Sequence, residues 1–208
     1  MTEDRQEPRE ASLRLFVAVE LPESWLAALR TLQDELRDRL GPAVSLRWVR
    51  PEGIHLTLKF IGQVPAGLRS QLEVVLAAAL PASPGIRIGL AGPGTFGERG
   101  RIRVVWAGLQ GDINGLRELA GKIDAATSSA GIARERRPLS PHLTLARVPE
   151  GFTAGSAVLL AEAIAVTPAP RLPQLEIRRV SLMQSHLGPS GARYERLAVF
   201  PQPDGREL

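Results

Sequence analysis

Cysteine is absent from this 208-residue chain, which rules out a disulfide framework and any thiolate metal site. Lysine is nearly absent too: Lys59 and Lys122 are the only two among 26 basic residues, so arginine supplies the net charge of +4. That charge permits a polyanionic partner without establishing one, although the planar guanidinium suits phosphate. Tryptophan, tyrosine and phenylalanine account for only 4% of residues, too few for a long run of base-stacking platforms. No apolar run approaches the roughly 18–20 residues that a membrane span needs, and no membrane partner is inferred. Residues 1–10 are charged and lack the apolar stretch of a signal peptide, so a cytoplasmic location is expected. Hydrophobic content of 44% and charged content of 23% are those of a globular protein with a substantial core.

Histidine is also scarce, with three copies, yet two of them share one setting. His55-Leu56-Thr57-Leu58 returns as His142-Leu143-Thr144-Leu145, 87 residues later. In a strand, side chains alternate between faces, which puts His and Thr on one side and both leucines on the other. The His and Thr Cβ atoms would then lie about 6.5–7 Å apart. Two such strands facing each other offer an acid, a base and two hydroxyls to one small anion. Two histidines fall short of the three protein ligands of a usual zinc site, and neither motif contains a carboxylate, so no metal and no cofactor is expected. Lys59 shares strand parity with His55 and is a candidate phosphate ligand. Arg147 has the parity of the leucines and points away by simple alternation. It sits at the strand end, where a long side chain can curl back, and is a second candidate. His186 lies in a turn-rich stretch and reads as a solvated loop residue.

Around these motifs the chain divides into a flexible tail (1–12), one bilobal domain (13–200) and a C-terminal tail (201–208). Residues 13–20 are β-prone. Residues 23–40 carry Trp25, Leu29, Leu32, Leu36 and Leu40 on one helical stripe, closed by Gly41-Pro42. A short strand (46–49), a strand (54–62) and a helix (67–80) follow. The pattern then recurs: strand 103–108, helix 112–130, strand 142–148, helix 156–166. Shifting the first half by 87 residues lays element on element, which indicates a duplicated unit. Residues 92–100, rich in glycine and proline, read as a surface loop joining the halves. Residues 168–173 read as a linker, with closing strands at 174–183 and 194–200. The fold class expected is α+β: a duplicated bilobal unit, two antiparallel sheets facing a cleft, and helices outside.

At these residues the chain resembles the two-histidine (2H) phosphoesterases, in particular the RNA 2′,3′-cyclic phosphodiesterases once called 2′-5′ RNA ligases. The resemblance rests on the paired His-X-Thr-X motifs. It extends to the opening strand 14–19, the Val104-Val105-Trp106-Ala107-Gly108 strand, and the closing Ser185-His186-Leu187 and Gly191-Ala192-Arg193-Tyr194-Glu195. Residues 151–173 are the least similar stretch. The resemblance implies metal-independent hydrolysis of a 2′,3′-cyclic phosphate at an RNA end, or on a nucleoside, to a 2′-phosphate. His55 and His142 would form the catalytic pair, and Thr57 and Thr144 would hold the phosphate oxygens. His142 is assigned as base on water and His55 as acid on the leaving 3′-oxygen, an order that the residues alone leave open and that the reverse ligation would exchange. Two alternatives are a 2′-5′ ligase of tRNA half-molecules using the same site in reverse, and a non-catalytic RNA-binding module. No obligate protein partner is inferred.

Overall fold

A computed structural model describes residues 11–98, 101–188 and 191–202. The expected N-terminal tail falls, up to residue 10, outside the described residues, and Ser12 already belongs to the first strand.

Strand β1 (Ser12–Glu20) has an apolar run, Leu15–Val19, that is buried on both faces, which makes it an interior strand. Helix α1 (Glu23–Leu40) buries the predicted stripe Trp25, Leu29, Leu32, Leu36 and Leu40, with Gln33 beside it. It ends at Gly41, whose φ of 57° is the left-handed conformation that glycine tolerates. The short strand β2 (Arg47–Trp48) leads through a 3-10 turn (Pro51–Gly53) into β3 (His55–Pro65) and α2 (Leu68–Ala79). The second half runs from β4 (Ile86–Glu98) and β5 (Arg101–Gly111) to α3 (Ile113–Ser129), β6 (His142–Arg147) and α4 (Ala154–Val166). Asp112 caps α3 by accepting the Gly115 N–H at 2.8 Å, and Thr153 caps α4 through the Ser156 N–H at 3.1 Å. Strands β7 (Leu175–Ile177), β8 (Val180–Gly188) and β9 (Gly191–Phe200) close the described fold.

All the strand pairs are antiparallel, in two sheets ordered β3-β1-β8-β9 and β2-β6-β5-β4-β7. The halves are interlocked. Strand β4 follows the first half but pairs with β5, whereas β8 follows the second and pairs with β1. Helix α1 bonds through Gln33 to Leu145 of β6, and α3 bonds through Asp124 to Lys59 of β3. Each motif strand is therefore backed by a helix from the other half. One continuous apolar core spans both sheets and includes the four motif leucines, Leu56, Leu58, Leu143 and Leu145. The architecture is the expected α+β pair of antiparallel sheets with four helices. Among the described residues no helix is long and apolar enough to cross a membrane.

Three local expectations need correction. Residues 92–98 are not a surface loop but the second part of β4, paired with β5; residues 99 and 100 lie outside the described residues. The ladder tolerates Pro93 because the register shifts between Leu90 and Pro93, a bulge of the kind that accommodates proline. Gly94 is there for close approach, since a Cβ would lie 2.4 Å from the Trp106 ring. Next, residues 174–183 are not one strand: β7 pairs with β4 and β8 with β1, in different sheets. Last, His186 stands on β8 opposite Arg193, and its Nε2 meets Glu195 Oε2 at 2.9 Å.

Candidate active site

Both motif strands carry a bulge at the same place. In β3, Thr57 pairs with Ala18 and Lys59 with Val17, which leaves Leu58 without a partner on β1. In β6, Thr144 pairs with Trp106 and Ala146 with Val105, which leaves Leu145 extra against β5. One extra residue reverses the alternation that follows it. Lys59, expected to face the cleft, is therefore turned into the interior, where it is 2% exposed. Its ammonium donates to Asp124 Oδ1 and to the Ala133 carbonyl, both at 2.7 Å, with Glu135 at 3.7 Å. Partial burial opposes ionisation of Asp124, but hydrogen bonds from Lys59 and the Glu135 N–H, with the Lys59 and Arg134 charges, hold it below its usual 3.8. Lys59 is a structural ion-pair partner and does not line the cleft. Arg147, which plain alternation sends away from the cleft, is brought by the same bulge onto its wall, beside Val104 in the β5 ladder.

His55, Thr57, His142 and Thr144 line one cavity of about 570 Å³ between the two sheets. The histidines are held alike. His55 Nδ1 lies 2.8 Å from the Gly53 carbonyl and His142 Nδ1 lies 2.9 Å from the Ser140 carbonyl, each two residues upstream. A carbonyl oxygen only accepts, so Nδ1 carries the hydrogen and Nε2 is the nitrogen left for a ligand. Each imidazole also has an aromatic wall. Phe16 packs on His55 at 4.7 Å and Tyr194 meets it edge-on at 4.8 Å, while Phe96 meets His142 edge-on at 4.8 Å. Burial lowers the pKa of His55 below 6.5, only partly offset by its bond to Gly53; the His142 and Arg147 charges add to the lowering, and Glu20 opposes it.

The described lining includes Arg14, Arg47, Arg50 and Arg147 but no aspartate or glutamate. A wall carrying several arginines suits an anion of several charges. Among the described residues no group of three His, Asp or Glu side chains could hold a metal ion. Sequence reasoning did not single out Arg14, Phe16 or Tyr194 as site residues. The first two share a face of β1 by alternation and were legible in principle. Tyr194 comes to His55 only through the β8–β9 hairpin.

Paired His-X-Thr-X strands in a duplicated α+β unit, facing one arginine-walled cleft, define a two-histidine phosphoesterase. The LigT like Phosphoesterase family model matches residues 19–106 and 109–194, and the chain belongs to that family. It is 31% identical over 188 residues to an RNA 2′,3′-cyclic phosphodiesterase of Methanothermobacter thermautotrophicus, covering 90% of this chain and 98% of that protein. It is 34% identical over 162 residues to a protein of the same name from Geobacillus stearothermophilus; that match covers 76% of this chain but only 49% of the longer relative. Among solved structures, Escherichia coli LigT complexed with 3′-AMP superposes with a TM-score of 0.67 at 25% identity, covering 93% of this chain and 100% of that one.

Proposed function

We propose that the chain hydrolyses the 2′,3′-cyclic phosphate of RNA ends to a 2′-phosphate, without a metal. The observation that carries this reading is the doubled device: two imidazoles, each tethered at Nδ1 to a carbonyl two residues upstream, line one arginine-walled cavity. The names of the curated relatives support the substrate class.

In-line opening of a cyclic phosphodiester needs a base for the attacking water and an acid on the departing ribose oxygen, on opposite sides of phosphorus. The pseudo-symmetric strands β3 and β6 supply one imidazole each. His142 Nε2 takes the proton from water, and His55 Nε2 gives one to the 3′-oxygen, each worth about 10²–10⁴-fold. The Thr57 and Thr144 hydroxyls donate to the non-bridging oxygens, and Arg147 balances their charge. A lowered pKa makes the His55 imidazolium a stronger acid toward the leaving oxygen, while the arriving phosphate anion favours the protonated form.

Turnover of a nucleoside 2′,3′-cyclic monophosphate should persist after exhaustive dialysis against EDTA and give the 2′-phosphate. Loss of activity that zinc or manganese restores would replace the mechanism with a metal-dependent one. Binding without turnover would leave an RNA-binding module. Efficient joining to a 5′-hydroxyl RNA would make the chain a ligase.

The pH dependence of kcat/KM should be bell-shaped, with limbs that belong to the coupled pair of histidines. The acid works only while protonated, so activity falls at high pH as His55 loses its proton. Burial favours that loss and shrinks the fraction of free enzyme that has the acid protonated and the base neutral. Bound phosphate opposes the loss, and the alkaline limb of kcat should lie above that of kcat/KM. In His55→Ala the residual rate should lose the alkaline limb; loss of the acidic limb would exchange the two roles.

A further inference from the structure

We propose that Gln33 and Lys59 are positioning residues that clamp the two bulges and thereby aim Arg147 and Phe60 into the cleft. The inference rests on the phosphodiesterase reading for what Arg147 does, but not for how it is held. Without its bulge, each strand would send the fifth residue after its histidine to the core side. Phe60 and Arg147 are those residues, and both line the cavity. A bulge leaves backbone groups outside the regular ladder, and buried ones need other partners.

In β6 the Leu145 carbonyl accepts the Val49 N–H at 2.9 Å and Gln33 Nε2 at 2.8 Å. The same amide nitrogen reaches the Val49 carbonyl at 2.8 Å, so Gln33 ties α1, the segment after β2 and the bulge together. Gln33 is fully buried, and its Oε1 has no partner among the described residues. An unsatisfied buried acceptor opposes folding, and a leucine at this position would not carry one. What the molecule gains from Gln33 is the placement of its nitrogen.

In β3 the work is done from the strand. Lys59, next to the bulged Leu58, ties β3 to Asp124 of α3 and to the Ala133 carbonyl on the segment leading to Ser140, which holds His142. An apolar side chain would fill such a place at little cost, so the ion pair is not needed merely to bury the position. The two clamps are not copies made by duplication. At the positions 87 residues on from Gln33 and Lys59 stand Ala120 and Ala146. Unrelated side chains anchor the two strands at or beside their bulges, which points to the bulge itself as the feature required.

A double-mutant cycle tests this. Wild type, Gln33→Leu, Arg147→Ala and the double variant would be compared by KM and kcat on a nucleoside 2′,3′-cyclic phosphate, and by the Kd of adenosine 2′-phosphate. Gln33→Leu should raise KM and Kd about 5- to 10-fold with kcat within about threefold; in the Arg147→Ala background it should add less than about twofold. Equal factors in both backgrounds, or unchanged KM and Kd with a lowered thermal midpoint, would overturn the proposal. If Gln33→Leu does not fold, Gln33→Met takes its place, and the parallel cycle of Lys59→Met with Phe60→Ala gives a second reading. Failure of all these variants to fold would also overturn it, because the clamps would then serve the fold and not the site. A wild type that binds adenosine 2′-phosphate but turns over no cyclic phosphate removes the catalytic reading, and the Kd cycle still decides this one.

Discussion

Alanine at His55 or at His142 is expected to lower kcat by about 10²-fold or more while the protein stays folded. Both side chains are half-buried on the cleft wall, and the apolar core is built from the leucines that alternate with them. On the proposed mechanism their removal therefore withdraws proton transfer and leaves the leucine core closed. Binding should suffer less than kcat, since Thr57, Thr144 and Arg147 remain to meet the phosphate. The double variant should fall well short of the product of the two single losses, because in the proposed mechanism acid and base act in one transition state and the loss of either exposes the same slow uncatalysed step. Single-turnover rates with thermal melts of all three variants check this. Near-wild-type kcat in either single variant would remove the two-histidine mechanism.

How much of this arrangement can be read from the letters depends on the range over which each feature is determined. The stripe from Trp25 to Leu40 is local, and helix α1 follows it closely. The two HLTL copies are local as well, and alternation alone puts their leucines in the core and their histidines and threonines on one face. The reading fails where one residue changes parity. Nothing in Leu58-Lys59-Phe60 or Leu145-Ala146-Arg147 announces a bulge, so plain alternation puts Lys59 on the cleft side and Arg147 on the leucine side, where only its place at the strand end keeps it a candidate; the register produces the reverse parity. Strand β4 was hidden for a different reason. Gly92, Pro93, Gly94 and Gly97 look like turn chemistry in isolation, but Pro93 follows a bulge and Gly94 makes room for a ring of the next strand. The exchange of β4 and β8 between sheets is set by pairings between distant segments and leaves no local mark. Tyr194 and Phe96 reach the histidines through those pairings, which is why the aromatic walls were not foreseen.

Valine at Thr57 or Thr144 should reduce kcat/KM by roughly 5- to 150-fold, the equivalent of about 1–3 kcal/mol for a hydroxyl that donates to a charged oxygen. The exchange swaps one hydroxyl for a methyl, keeps the β-branched shape, and suits a strand at least as well. Thr57 pairs with Ala18 and Thr144 with Trp106 on the cleft face, so each valine would stand where its threonine stood without entering the core. If the hydroxyls grip the non-bridging oxygens most strongly as charge shifts toward them, the loss should appear in kcat more than in KM. An equal loss confined to KM would mean that they bind substrate and transition state alike. The duplication sharpens the test: the two threonines occupy matched places on opposing strands, so their variants should lose activity to a similar degree, and the double variant should approach the product because each touches a different oxygen. Unchanged kinetics with a lowered thermal midpoint would make both threonines part of the strand packing and leave Arg147 and its neighbouring arginines to hold the phosphate.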